Sequence, residues 1–426
     1  MQVIDLMKHF KFFSVNFASK LCTCVFKIRP FGKVLHKVIH SWPGQSHRPH
    51  FHGCSQHRFT DNQGQHDRHS AHFDRQEQPF CAEIFTLCES KRAGVGMLVS
   101  RWLHLNLPKV WQSRNGLARL LVPLSVFFAS LMAIRQGLYR LGLFRSVRLP
   151  VPVVVVGNVV AGGAGKTPLT MAIVQHLVAQ GWHPGVLSRG HGRPTQDTRA
   201  VQSSSTPAEV GDEPLLIHQK TGVPVWVGPK RADAGLALLQ AHPETDILVC
   251  DDGLQHRALA RDIEVCVMDE RGIGNGWLMP AGPLRENWPR KVDLLLHTGQ
   301  NDVGGGFQAR RQLADWAVDG HGRRVALDSL RGQPVDALAG LARPEGFFNL
   351  LGDKGLMLHQ TTPLPDHFDF AAWPKAALLR PLLCTEKDAA KLWQHQALAL
   401  AVPLELTPEP AFWSALDRLV GALPKR

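Results

Sequence analysis

The stretch VPVVVVGNVVAGGAGKTPLT, residues 151–170, restricts the fold more than any other part of the chain. An apolar run too short for a helix turns into glycines, then into a segment opening at Lys166-Thr167 with a helical apolar period. A strand that is apolar at every position must be buried on both faces, as in a parallel sheet. In the following helix Leu169, Ile173, Val174 and Leu177 fall on one side, and Gly181 supplies the stop. Further apolar runs, PGVLSRG, VPVWVG, DILVC, IEVCVMD and VDLLLH, alternate with amphipathic segments. That alternation predicts an α/β fold, a P-loop NTPase-like parallel sheet sandwiched by helices.

Glycines at a strand-to-helix turn let backbone N–H groups approach phosphates, and the helix N-terminus adds a positive dipole. The loop is assigned to Val160, Ala161, Gly162, Gly163, Ala164, Gly165, Lys166 and Thr167. Lys166 is placed to neutralise β- and γ-phosphates and the Thr167 hydroxyl to ligate Mg²⁺, which implies ATP and Mg²⁺. Val160 departs from the standard pattern, which has glycine five positions before Gly165. DILVCDDGLQH supplies a second element: an apolar strand ending in Asp251 and Asp252, where a strand-end carboxylate suits a Mg–ATP site.

Charge and unusual residues are unevenly spread. Residues 1–96 carry five of the eight cysteines, ten of the 22 histidines, and 13 basic against 7 acidic residues, half of the formal charge of +12. The segment shows neither a helical nor a strand period and lacks the aliphatic residues of a core, which predicts a disordered extension. Cys22-x-Cys24 is too close for a zinc knuckle, and no later pair completes a site. Lys8, Lys11 and Lys20 interrupt the apolar residues before a secretory signal can form.

Residues 97–148 are apolar, aromatic and basic, without one acidic residue. The uncharged run from Leu120 to Ile134 is fifteen residues long, short of the roughly twenty that a spanning helix needs. Arg114, Arg119, Arg135, Arg140 and Arg145 bracket it. This composition suits a membrane-interface helix against anionic headgroups; a buried helix packed on the next domain is the alternative.

GNVVAGGAGKTP, LSRGHGR, GDEPLLI, DDGLQH, PAGPLRE, LAGLARPEGFF, PLPDHFDF and CTEKDAAK occur in an order that resembles the tetraacyldisaccharide 4'-kinase family, the lipid A 4'-kinases of Gram-negative bacteria. The resemblance runs from about Met97 onward, outside residues 1–96. It implies phosphoryl transfer from ATP to the 4'-hydroxyl of an acylated glucosamine disaccharide 1-phosphate, the lipid A precursor. It also implies a peripheral place on the cytoplasmic face of the inner membrane; no protein partner is expected, and the basic residues lack the aromatic-interleaved stripe or recognition-helix pattern of a nucleic-acid binder. By the same resemblance Asp212 is the base for the sugar hydroxyl and His367 its pair from a second domain. Asp251 and Asp252 serve metal and transition state, Glu286 helps hold Mg²⁺, and Gln255, His256 and Arg285 contact phosphate or substrate. Read from the residues alone, Asp212 could instead cap the helix at Glu213-Pro214, and His367 could be a structural loop residue. His191 stands where the family has tyrosine, and Phe368 where histidine or tyrosine is common.

These features divide the chain into residues 1–96, 97–148, a kinase domain over 149–325, and a smaller α/β domain over 326–426 containing VDALAGLA, PLLCTEKDAAKLW and VPLELTP. A cleft between the last two would bring Asp212 and His367 together only on closure. A membrane-associated partitioning or division-site ATPase is the rival class. Its signature lysine before the glycine pair is replaced here by Ala161.

Overall fold

The computed structural model describes residues 110–424 apart from 164, 302 and 374–377. The readings of residues 1–96, including the rejected zinc module, and of Ala164 lie outside the described residues.

The chain enters through α1 (Gly116–Leu120), whose first turn is capped by the Asn115 side chain accepting from Ala118 N, and α2 (Val122–Arg140). Pro123 sits in the first turn of α2, where its missing N–H costs nothing. Ser125 is the buried residue of this helix: its hydroxyl donates to Leu278 O at 2.8 Å and accepts from Ala281 N at 2.9 Å. Trp111 Nε1 donates to Pro280 O, and Arg114 lies over the Trp277 ring. Val126, Phe127 and Ile134 are more than half exposed, so α2 is not a core helix. It also runs past the uncharged fifteen residues to 19 in all, because Arg135 and the residues after it continue the turn until Gly142 takes a positive φ. Among the described residues it is the one helix long and apolar enough to cross a membrane.

A nine-stranded sheet follows. Its elements are β1 (Val153–Gly157), α3 (Lys166–Ala179), β2 (Pro184–Ser188), β3 (Arg199–Ala200), α4 (Pro207–Val210), α5 (Asp212–Thr221), β4 (Val225–Val227), α6 (Arg231–Ala241), β5 (Ile247–Cys250), β6 (Ile263–Met268), β7 (Leu294–His297) and β8 (Phe307–Leu313). β1 lies between β5 and β6, parallel to both, and the further pairs β5–β2, β2–β4, β6–β7 and β7–β8 are also parallel. Every valine of β1 is buried because the strand feeds two cores. Val154 and Val156 meet Leu169, Ile173, Val174 and Leu177 of α3, while Val153 and Val155 face Leu238 of α6 and Leu254. Each such aliphatic side chain contributes about 1.5–3 kcal/mol by leaving water. The Trp182 N–H bonds back to Leu177 O past Gly181, which ends α3. All six apolar runs expected to be strands are strands of this sheet.

The second sheet has β9 (Trp316–Val318), β10 (Arg324–Ala326), β11 (Pro334–Gly340), β12 (Met357–Leu364), β13 (Leu382–Thr385) and β14 (Leu400–Val402), in the order β10-β9-β14-β13-β11-β12. Here α7 (Glu345–Asp353) buries Phe347 and Leu351, and α8 (Glu386–Leu392) buries Ala389 and Leu392. Of VPLELTP only Val402, the end of β14, belongs to this set. β15 (Leu404–Pro408) pairs antiparallel with β8, Leu404 opposite Leu313, and closes the edge of the first sheet. After it, α9 (Pro410–Gly421) packs Phe412, Leu416 and Val420 against β7 and β8, in the same core as α3. The smaller sheet is therefore inserted between two paired strands of the larger one.

Candidate active site

The glycine loop leaves the carboxyl end of β1, where a parallel sheet opens its ligand crevice. Gly157 is needed for close packing, since a Cβ there would meet Leu254 Cγ at 2.7 Å. Buried Asn158 donates through Nδ2 to Val160 O at 2.7 Å and braces the turn from inside. Val160 is 1% exposed in the core beside Leu284, which explains its departure from the glycine pattern. Gly162 and Gly165 adopt φ of +97° and +83°, conformations that only glycine takes readily. Gly165 precedes α3 and no side chain caps that helix, so its first N–H groups remain available to a ligand.

Lys166 Nζ lies 3.7 Å from Asp252 Oδ1, and Arg285 Nη1 donates to both Asp252 oxygens at 3.1 and 3.2 Å. Burial acts upward on Asp252, but Lys166 and Arg285 override it and hold the carboxyl far below the usual carboxylate range. Asp251 is its opposite. It is 1% exposed and accepts from Thr170 Oγ1 at 2.9 Å, and burial with Glu213 and Asp252 nearby pushes it up to about 7. Adjacent carboxyls at the end of β5 are thus driven apart by their surroundings.

Gln255 donates through Nε2 to Asn158 O at 2.9 Å and to Glu286 Oε1 at 2.8 Å. Glu286, expected beside the metal, is buried, accepts from Arg290 Nη1 at 2.9 Å, and has Arg257 at 3.8 Å. It shares no hydrogen bond or ion pair with Thr167, Asp251 or Asp252 among the described residues. His256 is pushed down to about 3 by burial and by Arg231 and Arg261, so it is neutral near pH 7. Its Nε2 lies 3.4 Å from the Arg231 N–H.

Asp212 opens α5 after Gly211, whose φ of +95° and close approach to Gly190 exclude a side chain. Asp212 does not cap its own helix. Instead Oδ2 lies 2.9 Å from His367 Nδ1, and Lys391 Nζ reaches both carboxylate oxygens at 2.8 Å. Burial acts to raise the Asp212 pKa, but the bonds from His367 and Lys391 outweigh it and hold it below the usual value. His367 adopts φ of +60° in the turn after β12, and its ring sits 5.1 Å from that of His191. Burial and His367 both lower the His191 pKa. Asp212 and His367 are already in contact here, whereas the sequence predicts a meeting only on closure. Lys391 offsets the carboxylate's charge, and α8 of the second sheet lies against α5 of the first.

Residues 117–421 match the family described as tetraacyldisaccharide-1-P 4'-kinase. The tetraacyldisaccharide 4'-kinase of Acidovorax sp. (strain JS42) is 57% identical over 317 residues, which cover 74% of this chain and 94% of that one. Its counterpart from Polaromonas sp. (strain JS666) is 53% identical over 324 residues, covering 74% and 96%. This chain belongs to the tetraacyldisaccharide-1-P 4'-kinase family. The crystal structure of the "apo" form of LpxK from Aquifex aeolicus in complex with ATP is similar with a TM-score of 0.63 at 28% identity, covering 71% of this chain and 99% of that one. None of these relatives is a partitioning or division-site ATPase, and that rival has no support.

For a kinase of this family, the sequence reading misses one residue that touches the proposed base. Lys391 lies in CTEKDAAK, four residues after Lys387 and so on the same helical face. Lys387 bonds Asp366 at 2.7 Å and stands 3.7 Å from Glu213, neighbours of His367 and Asp212 respectively. Two lysines at that spacing, opposite a GDE helix start, were the available signal.

Proposed function

We propose that the cleft holding the glycine loop and the Asp212–His367 pair transfers the γ-phosphoryl group of ATP to the 4'-hydroxyl of a tetraacylated glucosamine disaccharide 1-phosphate. The family makes the chain an ATP-dependent kinase of lipid A biosynthesis; the residue roles and the membrane placement are our inference. A P-loop NTPase-like nucleotide site is supported by β1, the left-handed glycines and the uncapped start of α3. Loop N–H groups cradle the phosphates, and Lys166 neutralises the charge that builds up as the γ-phosphoryl departs. Arg285, fixed by Asp252, adds a second cation on the same side.

The donor set fits Mg²⁺. The Thr167 hydroxyl and the Asp251 and Asp252 carboxylates are hard oxygen donors, and Asp251, raised by burial and then by Glu213 and Asp252, is a carboxyl whose ionised form a divalent cation would stabilise. Such sites use one or two carboxylates with substrate phosphates, so they need no dense cage, and the described residues contain no group of three or more His, Cys, Asp or Glu placed to bind a metal. When bound, Mg²⁺ neutralises charge on the reacting phosphates. Glu286 acts one step removed, holding Gln255 against the start of the glycine loop.

At the acceptor, the 4'-oxygen forms its bond to the γ-phosphorus, the bond to the β–γ bridging oxygen breaks, and Asp212 receives the hydroxyl proton. His367 fixes the carboxylate's orientation, and Lys391 keeps it ionised until then. A positioned base of this kind contributes about 10²–10⁴-fold. The 2.9 Å Asp212–His367 contact, which joins the two sheets at one carboxylate, is the observation that carries this reading.

We place the enzyme peripherally on the cytoplasmic face of the inner membrane. Exposed Val126, Phe127 and Ile134 on α2, with Leu141, Leu143 and Phe144 after it, would enter the interface, and Arg119, Arg135, Arg140 and Arg145 would meet anionic headgroups. The test is incubation with labelled ATP, Mg²⁺ and detergent-solubilised tetraacyldisaccharide 1-phosphate. Label in the glycolipid for the native chain, lost in Asp212→Asn, is expected; undiminished transfer in that variant overturns the assignment of the base.

A further inference from the structure

The glycine loop is held from outside by an arginine that takes no part in the proposed transfer. Arg271 follows β6 and spans two tasks. Its Nε and Nη2 donate to the Asp269 carboxylate at 2.9 and 2.6 Å, while Nη1 donates to Ala161 O at 2.9 Å and Nη2 reaches Gly163 O at 3.5 Å. Asp269 is 1% exposed, and a Cβ on Gly162 would stand 3.1 Å from Arg271 Nη1, so a side chain at Gly162 would crowd the guanidinium. A peptide unit is planar and trans, so turning the Ala161 carbonyl toward Arg271 turns the Gly162 N–H the opposite way. An arginine fork is the residue type that can hold a carboxylate and a carbonyl in fixed relation; an ammonium is a single point of charge.

The same carboxylate looks toward the second sheet. Arg343, in the segment after β11, forms an ion pair with Glu270 and lies 3.8 Å from Asp269 Oδ2. A chain of charge contacts thus runs from the lobe that contributes His367 to the carbonyls of the loop expected to hold ATP.

We propose that Arg271 is a positioning residue that fixes the glycine loop in its phosphate-binding shape, and that Arg343 couples the second lobe to that loop through Asp269 and Glu270. This rests on the nucleotide reading of the loop. The test is calorimetric binding of Mg–ATP without lipid, together with the melting temperature of the ligand-free protein and steady-state kinetics. Arg271→Gln is expected to weaken ATP binding and raise KM for ATP about tenfold, the equivalent of one charge-assisted hydrogen bond, with a smaller change in kcat. Arg271→Lys, a second variant in case the first does not fold, keeps the charge and is expected not to restore affinity. Arg343→Glu is expected to weaken ATP binding several-fold, and the exchanged pair Glu270→Arg/Arg343→Glu to recover it. Native-like ATP affinity in folded Arg271→Gln or Arg271→Lys overturns the brace. An Arg343→Glu variant without effect, or an exchanged pair that stays weak, overturns the coupling. A native chain that binds no ATP overturns the nucleotide reading and the brace with it.

Discussion

Asp251→Asn removes a carboxyl that the fold holds in an unfavourable place. In the folded chain it titrates near 7, against 3.8 as the ordinary value, so folding tightens its grip on the proton by about 10³, or about 4 kcal/mol. The sign follows from linkage. Below the unfolded pKa the group is protonated in both states and nothing is lost. As pH rises toward the folded pKa, the unfolded chain releases the proton and the folded chain keeps it, so native stability falls and the full loss is present above about pH 7. The amide neither ionises nor repels Glu213 and Asp252, and its oxygen still accepts from Thr170. Because burial sets the largest part of this penalty and the rest is shared with Glu213 and Asp252, the variant is expected to exceed the native chain in stability by about 2–4 kcal/mol near pH 8 and by little near pH 4. Urea unfolding at several pH values, without Mg²⁺ or nucleotide, reads this directly, while phosphoryl transfer by the variant should collapse. A stability difference that stays flat with pH, or a variant less stable than the native chain near pH 8, refutes the reasoning.

Lys166→Ala should abolish phosphoryl transfer and leave the melting temperature nearly unchanged, since the loop's turns are set by Gly162, Gly165 and Asn158; labelled-ATP assays and thermal unfolding check both. Asp212→Asn and His367→Ala should each lower single-turnover rates by about 10²-fold or more while sparing ATP binding, and the double variant should lose little beyond either single one. Fully additive losses would show that the two do not act as a unit. Phe127→Asp with Ile134→Asp should reduce cosedimentation with vesicles containing anionic lipid while leaving transfer to detergent-solubilised acceptor largely intact.

Where pattern is local, the sequence discloses the structure. The valine run of β1 and the spacing of Leu169, Ile173, Val174 and Leu177 determine strand and helix without help from distant residues, and both are buried as expected. Asp212 and His367 are a different case, 155 positions apart. The ordered family motifs nominate them, whereas composition and periodicity favour a helix cap and a loop histidine. What escaped depends on pairing across long separations. Nothing in VPLELTP distinguishes an edge strand of one sheet from that of another, because the alternation of Leu404 and Leu406 fits either. Glu286 likewise carries no local sign that Gln255 and Arg290 occupy its oxygens.

The antiparallel pairing of Leu404 with Leu313 bears on the order in which the protein can be completed during synthesis. A ribosome delivers β1 and α3 early, but Phe412, Leu416 and Val420, which cover the face of the sheet at β7 and β8, emerge only after the whole inserted sheet has been made. Until then that face of β7 and β8 is wet, and the edge strand β8 has unpaired backbone groups. The nucleotide half of the molecule therefore cannot be finished before the acceptor half. Nascent chains halted just after β14 should expose that face to apolar dyes and chaperones, as chains released after α9 should not.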